Sequence, residues 1–328
     1  MNKQQVMKIA HEFRRNGMSM REALKRAWHN INRSHTPSSI RSFKRCKRYY
    51  NFKYNMLLDT SKYPLRQIGA DTSPLMQGRC IHEMIEMIHL NGIENGLFTK
   101  NEYDPLLVAK AQALMIARDK LQAEHGAPTP RVLWVEKVLT GKLNQYKLTG
   151  QADGLVEFDG GLWLMDHKTS AWSMDREDFM MLDQPVLYYH MARRSLYEYY
   201  KGKDNLRGLL IHYIRVPSHR LLKSDDDNYA KYRDRMVTDI IRAHVNPKGA
   251  DKPFFAFYEL TWSEFELNRR LSAINHQIGE MVSEIQFIHN ENACKMGGRR
   301  CEFWDICVGW LSASQCGKRE YEHEELRR

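Results

Sequence analysis

Gly150-Gln-Ala-Asp153-Gly and Met165-Asp166-His167-Lys168-Thr169 decide how this chain is read. The segments around them, Tyr146 to Phe158 and Leu162 to Asp166, read as two β-strands flanking Asp159-Gly160-Gly161. Asp-Gly between apolar runs is a strong hairpin signal. A loop at Asp159-Gly160 pairs Phe158 with Gly161 and sets Asp153 opposite Asp166. A loop at Gly160-Gly161 sets Asp153 opposite Lys168 instead. Side chains alternate faces along a strand, so Asp166 and Lys168 share one, and either register adds Asp153. A three-residue loop would set Asp153 opposite His167 and break the arrangement.

Two carboxylates and an ammonium on one patch are costly alone, because like charges opposed on a ladder repel. A divalent cation removes that cost: Mg²⁺ or Mn²⁺ is held by one or two carboxylates together with water and substrate phosphates. Lys168 then orients or deprotonates an attacking water, or neutralises charge on a phosphorane-like transition state. The plainer alternative is an ordinary cross-strand ion pair between Asp153 and Lys168.

Working outward, 328 residues suffice for a full core in one large domain or two smaller ones. Hydrophobic content of 42% with charged content of 27% places the chain among folded soluble proteins. No apolar run approaches the roughly 18 residues that span a bilayer, and Met1-Asn-Lys-Gln-Gln starts no signal peptide. The expectation is a cytoplasmic protein without a membrane partner, its six cysteines in a reducing compartment. The net charge of +10 is lopsided: residues 1–66 hold 16 Lys and Arg against 3 Asp and Glu. There Arg41, Lys44, Arg45, Lys47, Arg48 and Lys53 alternate with Phe43, Tyr49, Tyr50, Phe52 and Tyr54. Basic side chains displace phosphate counterions and aromatic faces stack on bases, so this stretch is read as a DNA contact. A solvated helix with its aromatics in the core is the competing reading.

Residues 2–30 read as two short helices parted by Asn16-Gly17, and Thr36-Pro37-Ser38-Ser39 as the capped start of a helix running to Cys46. Gly78 to His89 and Asp104 to Glu124 are helical by apolar spacing. A meander over 131–167 opens with a strand from Val132 to Val138. A helix from about Gln184 to Tyr200, a strand from Leu206 to Val216 and an acidic loop at Asp225 to Asp227 follow. A strand from Phe254 to Leu260 and a helix from about Ser263 to Ile288 complete an α/β order with a mixed sheet. The sequence has no phosphate-binding G-x-x-x-x-G-K-[ST] loop, so no ATP-driven motor is read in it.

In Gly78-Arg-Cys-Ile-His82-Glu-Met-Ile-Glu86, residues 78, 82 and 86 share a helix face. The zinc-protease pattern fails because Glu86 stands where a second histidine is needed. His82 is either a core histidine or, should the helix pack beside the hairpin, an imidazole ligand for the Asp153/Asp166 site. Gln184-Pro-Val-Leu-Tyr188 sets an amide and a phenol on one helix face, both able to donate to a phosphate or water. Its plainer reading is a first turn with Tyr188 in the core. Cys294, Cys301 and Cys307 supply three metal ligands and Cys46 a fourth, for Zn²⁺ or an iron–sulfur cluster. The lack of a C-x-x-C knuckle favours the cluster. Cys80 reads as a small buried hydrophobe and Cys316 as a spare thiol.

The order His82, Asp153, Asp166-x-Lys168, Gln184-x-x-x-Tyr188 resembles the PD-(D/E)XK nuclease superfamily in its RecB-like branch. A cysteine after a Thr-Pro-Ser-Ser helix with three more near the C-terminus is similar to that branch's iron–sulfur exonucleases, among them CRISPR-associated, AddB-type and phage proteins. The resemblance covers about residues 36–310. It implies a restriction-endonuclease-like core with a mixed central sheet flanked by helices. Residues 36–328 would form the nuclease domain, behind a basic helical arm at 1–35. An iron–sulfur subdomain would be built from about 36–60 and 288–316. It further implies that His82, Asp153, Asp166 and the backbone carbonyl of His167 hold Mg²⁺ or Mn²⁺. Lys168 would be catalytic, Gln184 and Tyr188 would support DNA and water, and Cys46, Cys294, Cys301 and Cys307 would hold a [4Fe-4S] cluster. The expected activity is hydrolysis of DNA from ends or single strands, in recombination, repair or replication. A separate helicase or single-strand annealing or binding protein is the expected partner, and a bacterial host cytoplasm the location if the chain is phage-encoded. A structure-selective or single-strand DNA endonuclease and a non-catalytic DNA-binding iron–sulfur protein are the alternatives.

Overall fold

The computed structural model describes residues 3–15, 18–59, 74–97, 103–196, 206–225, 228–246, 253–284, 287–288, 290–296, 299–307 and 317–318. The Asn16-Gly17 break, the end of the acidic loop at 226–227 and Cys316 lie outside them.

A six-stranded mixed sheet is the frame. Its strands are β1 (Ser34–His35), β2 (Arg131–Leu143), β3 (Tyr146–Phe158), β4 (Gly161–Ser170), β5 (Leu206–Arg215) and β6 (Phe255–Leu260). Antiparallel pairing joins β2 to β3, β3 to β4 and β5 to β6, whereas β4 and β5 run parallel. Phe158 pairs with Gly161, leaving Asp159 and Gly160 as a two-residue loop with φ of 45° and 64°. Left-handed backbone at both positions is the primed turn whose twist suits a hairpin. This is the register that sets Asp153 opposite Asp166.

The sheet has an opening where it matters. β2 runs along one edge of β3 from Tyr146 to Glu157, so β1 and β4 must share the other. β1 pairs there, in parallel, with Lys147 and Leu148, and the β4 ladder begins at Gly154 opposite Met165. Residues 149–153 lie between those two pairings.

The helices are α1 (Lys3–Arg15), α2 (Met20–Asn32), α3 (Pro37–Arg45), α4 (Pro74–Asn91), α5 (Pro105–His125), α6 (Asp183–Ser195), α7 (Tyr229–Val245) and α8 (Glu264–Ser283). Local chemistry sets their starts. Thr36 and Ser39 form a capping box ahead of Pro37, and Ser263 and Glu266 form another at α8. On one side of the sheet, Leu155, Leu164 and Ile211 pack with α6, α8 and α1 to α3. On the other, α4, α5 and α7 pack together over Ile214 and Val216. α6 lies on the crossover that the parallel β4–β5 pair requires.

Val6, Ala10 and Phe13 of α1 and Ala23 and Ala27 of α2 belong to the first of these cores. Asn30 also donates to the Val282 carbonyl at 3.1 Å. α7, a 17-residue helix, corrects the sequence reading, which places no helix after the acidic loop. Tyr232, Met236, Val237 and Ile240 bury one face of it at helical spacing. Beyond α8 the described elements are short: Glu291–Cys294 and Trp304–Cys307 are helical, and Lys295–Met296 pairs with Arg299–Arg300. Among the described residues no iron–sulfur subdomain is shown. Among the described residues no helix is long and apolar enough to cross a membrane.

Candidate functional site

The opening beside β3 brings the sequence-singled acids together. Where the ladder ends, the Asp153 carboxylate takes over from the backbone and accepts the main-chain N–H of His167 at 2.6 Å. Asp166, only 2% exposed, faces Lys168 with Nζ 2.5 Å from Oδ2. The plain Asp153–Lys168 ion pair is not what forms; the close partner of Lys168 is Asp166. α4 packs against β4 through Gly78, where an added Cβ would come within 2.9 Å of Thr169 Oγ1. That approach carries His82 to the site, with Nδ1 3.8 Å from Asp153 Oδ2.

The charges respond to one another. Burial opposes the charge of His82, and the facing Asp153 carboxylate more than offsets it, so the imidazole pKa is raised. Burial also works against the Asp153 charge, but His82 and Lys168 prevail and its pKa is lowered. For Asp166 burial prevails, Asp153 adds to it, and the pKa is raised despite Lys168. A carboxylate held above its ordinary range by burial, with a second carboxylate adding to it, is the situation a divalent cation relieves. Asp166 Oδ2 has Lys168 Nζ 2.5 Å away as its ion-pair partner. Among the described residues no three His, Cys, Asp or Glu side chains are gathered into a metal cage. Mg²⁺ needs no such cage, because it keeps water and takes one or two carboxylates. The donor set fits that ion.

Tyr188, 6% exposed, lies across Gly150: a Cβ there would meet its ring at 2.5 Å. Any side chain at 150 would push the phenol off the sheet. Burial and then Asp166 raise the Tyr188 pKa, so it stays a proton donor. Gln184 Nε2 donates to Tyr188 Oη at 3.1 Å, and Arg41 Nη2 donates to Gln184 Oε1 at 3.0 Å.

Some neighbours carry no mark in the sequence reading. Glu136, counted from Val135–Gly154 and Lys137–Ala152, stands opposite Asp153 with φ of 37°, a strained value for glutamate. Gln151 donates to it, while burial, Glu86 and Asp153 raise its pKa. Its spacing to Asp153 becomes visible only once β2 is aligned on β3. Behind β4, His167 Nδ1 lies 2.8 Å from His212 Nδ1, and His212 stacks on Phe257 with centroids 4.9 Å apart. Burial holds both imidazoles neutral, far below their ordinary pKa.

The basic stretch is tied down. Lys44 pairs with Asp183 at 2.5 Å, Lys47 pairs with Glu284, and Arg48 Nε donates to the Phe287 carbonyl at 3.2 Å. Arg45 lies over the Tyr49 ring at 5.7 Å. Phe43 and Tyr50 are buried, and Tyr49 and Phe52 pack on Phe303. The aromatic half of the pattern serves packing, as the competing reading has it.

Cys46, Cys294, Cys301 and Cys307 line one pocket with Phe303 and Trp304. All four are free thiols, and Cys80 is buried in the α4–α5–α7 core. Burial pushes the Cys301 thiol up to about 11 and raises Cys307 as well. Among the described residues the four cysteines line this pocket without forming a coordination shell. Four thiols around one cavity are nonetheless the donor chemistry of Zn²⁺ or a cluster.

A family model for the PD-(D/E)XK nuclease superfamily matches residues 34–308. The chain belongs to that superfamily. Members of this PD-(D/E)XK superfamily are nucleases and typically use Mg²⁺ or Mn²⁺. No curated protein matches the chain. Among solved structures, one described as a "putative exonuclease" from Eubacterium rectale overlaps 92% of this chain and 94% of its own, at 13% identity and a TM-score of 0.43. That likeness is loose, and the family match alone makes the assignment.

Proposed function

We propose that this PD-(D/E)XK protein is a metal-dependent DNA exonuclease. The observation that carries the reading is the meeting of Asp153, Asp166, Lys168 and His82 at the opening between β3 and β4. Asp153, Asp166, His82 and the carbonyl of His167 are the donors for Mg²⁺ or Mn²⁺. Such an ion, when bound, supplies charge neutralisation at the scissile phosphate and lowers the pKa of water. Lys168 is held against Asp166 until a substrate arrives; its ammonium then meets the phosphate or orients the attacking water. Tyr188 and Gln184 donate hydrogen bonds from the α6 side.

The thiol pocket is assigned to a [4Fe-4S] cluster, with Zn²⁺ the other occupant its chemistry allows. Either would join the segment after α3 to the C-terminal loop. A helicase or single-strand annealing protein acting separately would prepare DNA, since the sequence carries no motor motif. Phosphate contact falls to Arg41, Lys44, Arg45, Lys47 and Arg48 only where their present partners release them.

The test is a digestion series with Mg²⁺, Mn²⁺ or EDTA on end-labelled blunt, 5′-overhang, 3′-overhang and single-stranded DNA, beside closed circular DNA and RNA. Metal-dependent loss of the linear DNA with the circle spared is expected. Circles cut as fast as linear DNA would replace exonuclease by endonuclease, and inertness toward every nucleic acid would end the nuclease reading.

A further inference from the structure

Tyr188 can help a phosphate only if its hydroxyl hydrogen is free to point at it. We infer that Arg41 is the positioning residue that keeps it so, acting through Gln184; this rests on the nuclease reading above. A guanidinium carries donors and no acceptor. With Nη2 3.0 Å from the side-chain oxygen of Gln184, Arg41 fixes which end of that amide faces it. The oxygen is turned to Arg41 and the NH₂ to Tyr188, whose Oη receives it at 3.1 Å. The phenol therefore accepts from Gln184 and does not spend its own hydrogen there.

That hydrogen is left for the side on which Asp166 and Asp153 act on the phenol. With the amide reversed, the Gln184 oxygen would take the phenolic hydrogen, and Tyr188 would turn lone pairs toward two carboxylates and an incoming phosphate. The rest of the contact resists such a reversal. Leu182, the residue before α6, makes no side-chain cap. Asp183, the first residue of α6, is held instead by Lys44 at 2.5 Å and by Arg270 at 3.5 Å. Arg41 and Lys44, three apart on α3, thus grip consecutive residues of α6. Arg41 is exposed and basic, so a phosphate contact is the rival role, and the two roles differ in what they change.

The experiment compares the full chain with R41M, R41K, Q184E, Y188F and the R41M/Y188F double variant. It measures kcat and KM on linear DNA, DNA binding in Ca²⁺ across a salt series, and thermal unfolding. R41M and Y188F should each lower kcat about tenfold, the size of one hydrogen bond, with KM within about twofold. The double variant should fall no further than either single one, because both changes break one relay. Q184E keeps an acceptor for Arg41 and loses the donor to Tyr188, so it should match R41M; R41K, still a donor, should recover part of the rate. Additive losses in the double variant would overturn the inference. So would a raised KM with unchanged kcat and a salt slope shallower by about one, the mark of a phosphate contact. If the native chain degrades no nucleic acid, the nuclease reading fails by itself. The unfolding cycle still decides the relay: non-additive Tm changes for R41M and Y188F uphold it, and additive ones overturn it.

Discussion

The acids at the hairpin and the thiols at the cysteine-lined pocket are both sets of metal-seeking side chains, but they rest on different supports. Asp153 and Asp166 project from 13- and 10-residue strands inside a sheet that helices cover on both sides. The thiols sit at Cys46, at the last residues of two four-residue helical turns (Cys294 and Cys307) and, for Cys301, just after a strand of two residues. The core beneath them has Leu58 and Phe303 as its buried members. Turns of that length have no stability of their own. The hairpin geometry is therefore a property of the folded chain, whereas the pocket geometry would depend on the proposed metal or cluster.

The comparison breaks most visibly if Asp166→Asn unfolds the protein. On the present account it abolishes DNA hydrolysis by at least about a hundredfold and leaves the melting temperature unchanged or raised, because a buried repulsion is removed. Activity and thermal unfolding measured on one preparation decide this. Cys301→Ser, or chelation of the native protein, should do the reverse. Metal content and absorbance near 400 nm fall, proteolysis of residues 287–307 accelerates, and the hairpin retains its amide-exchange protection. Equal protection of both regions with and without metal would erase the distinction.

Smaller effects sharpen it. Gly150→Ala should cost about 1–3 kcal/mol of stability, since its Cβ would lie 2.5 Å from the Tyr188 ring, and should lower kcat without changing the metal content proposed for the thiol pocket. The pH dependence bears on the sheet side as well. His35 is fully buried, and burial brings its pKa down to about 3. The unfolded chain, with histidine near 6.5, then binds the extra proton, so stability present above about pH 6.5 is lost as pH falls toward 3. The loss is about 1.4 kcal/mol per pH unit for this group. His35→Leu should flatten the melting curve against pH by that amount; an unchanged slope would show that His35 is not the group titrating.

Most of what was legible in the sequence was local. Asp159-Gly160 announces its own turn, Thr36-Pro37 its own cap, and Gly78 to Glu86 shows which residues share a helix face. From the hairpin register, Asp153 and Asp166 follow as neighbours. What escaped depends on partners far along the chain. β1 is two residues long and exists because Lys147 and Leu148 pair with it. Glu136 joins the acids only through the β2–β3 alignment. The charge of Arg41 and Lys44 is plain in the sequence, but their partners Gln184 and Asp183 are about 140 positions away. α7 is a different case: Tyr232, Met236, Val237 and Ile240 recur at helical spacing, and interleaved charges such as Arg233, Asp234 and Arg235 obscure that stripe.

The carboxylate of Asp153 does a mason's work beside the chemistry proposed for it. By taking the amide hydrogen of His167, it closes the seam where two strands part, a bond that no backbone carbonyl of β3 supplies. The two aspartates are therefore unequal under substitution. A variant at 166 loses its chemistry and keeps its walls, whereas one at 153 also lets the mouth of the hairpin fray, and hydrogen exchange at the His167 amide would report the difference.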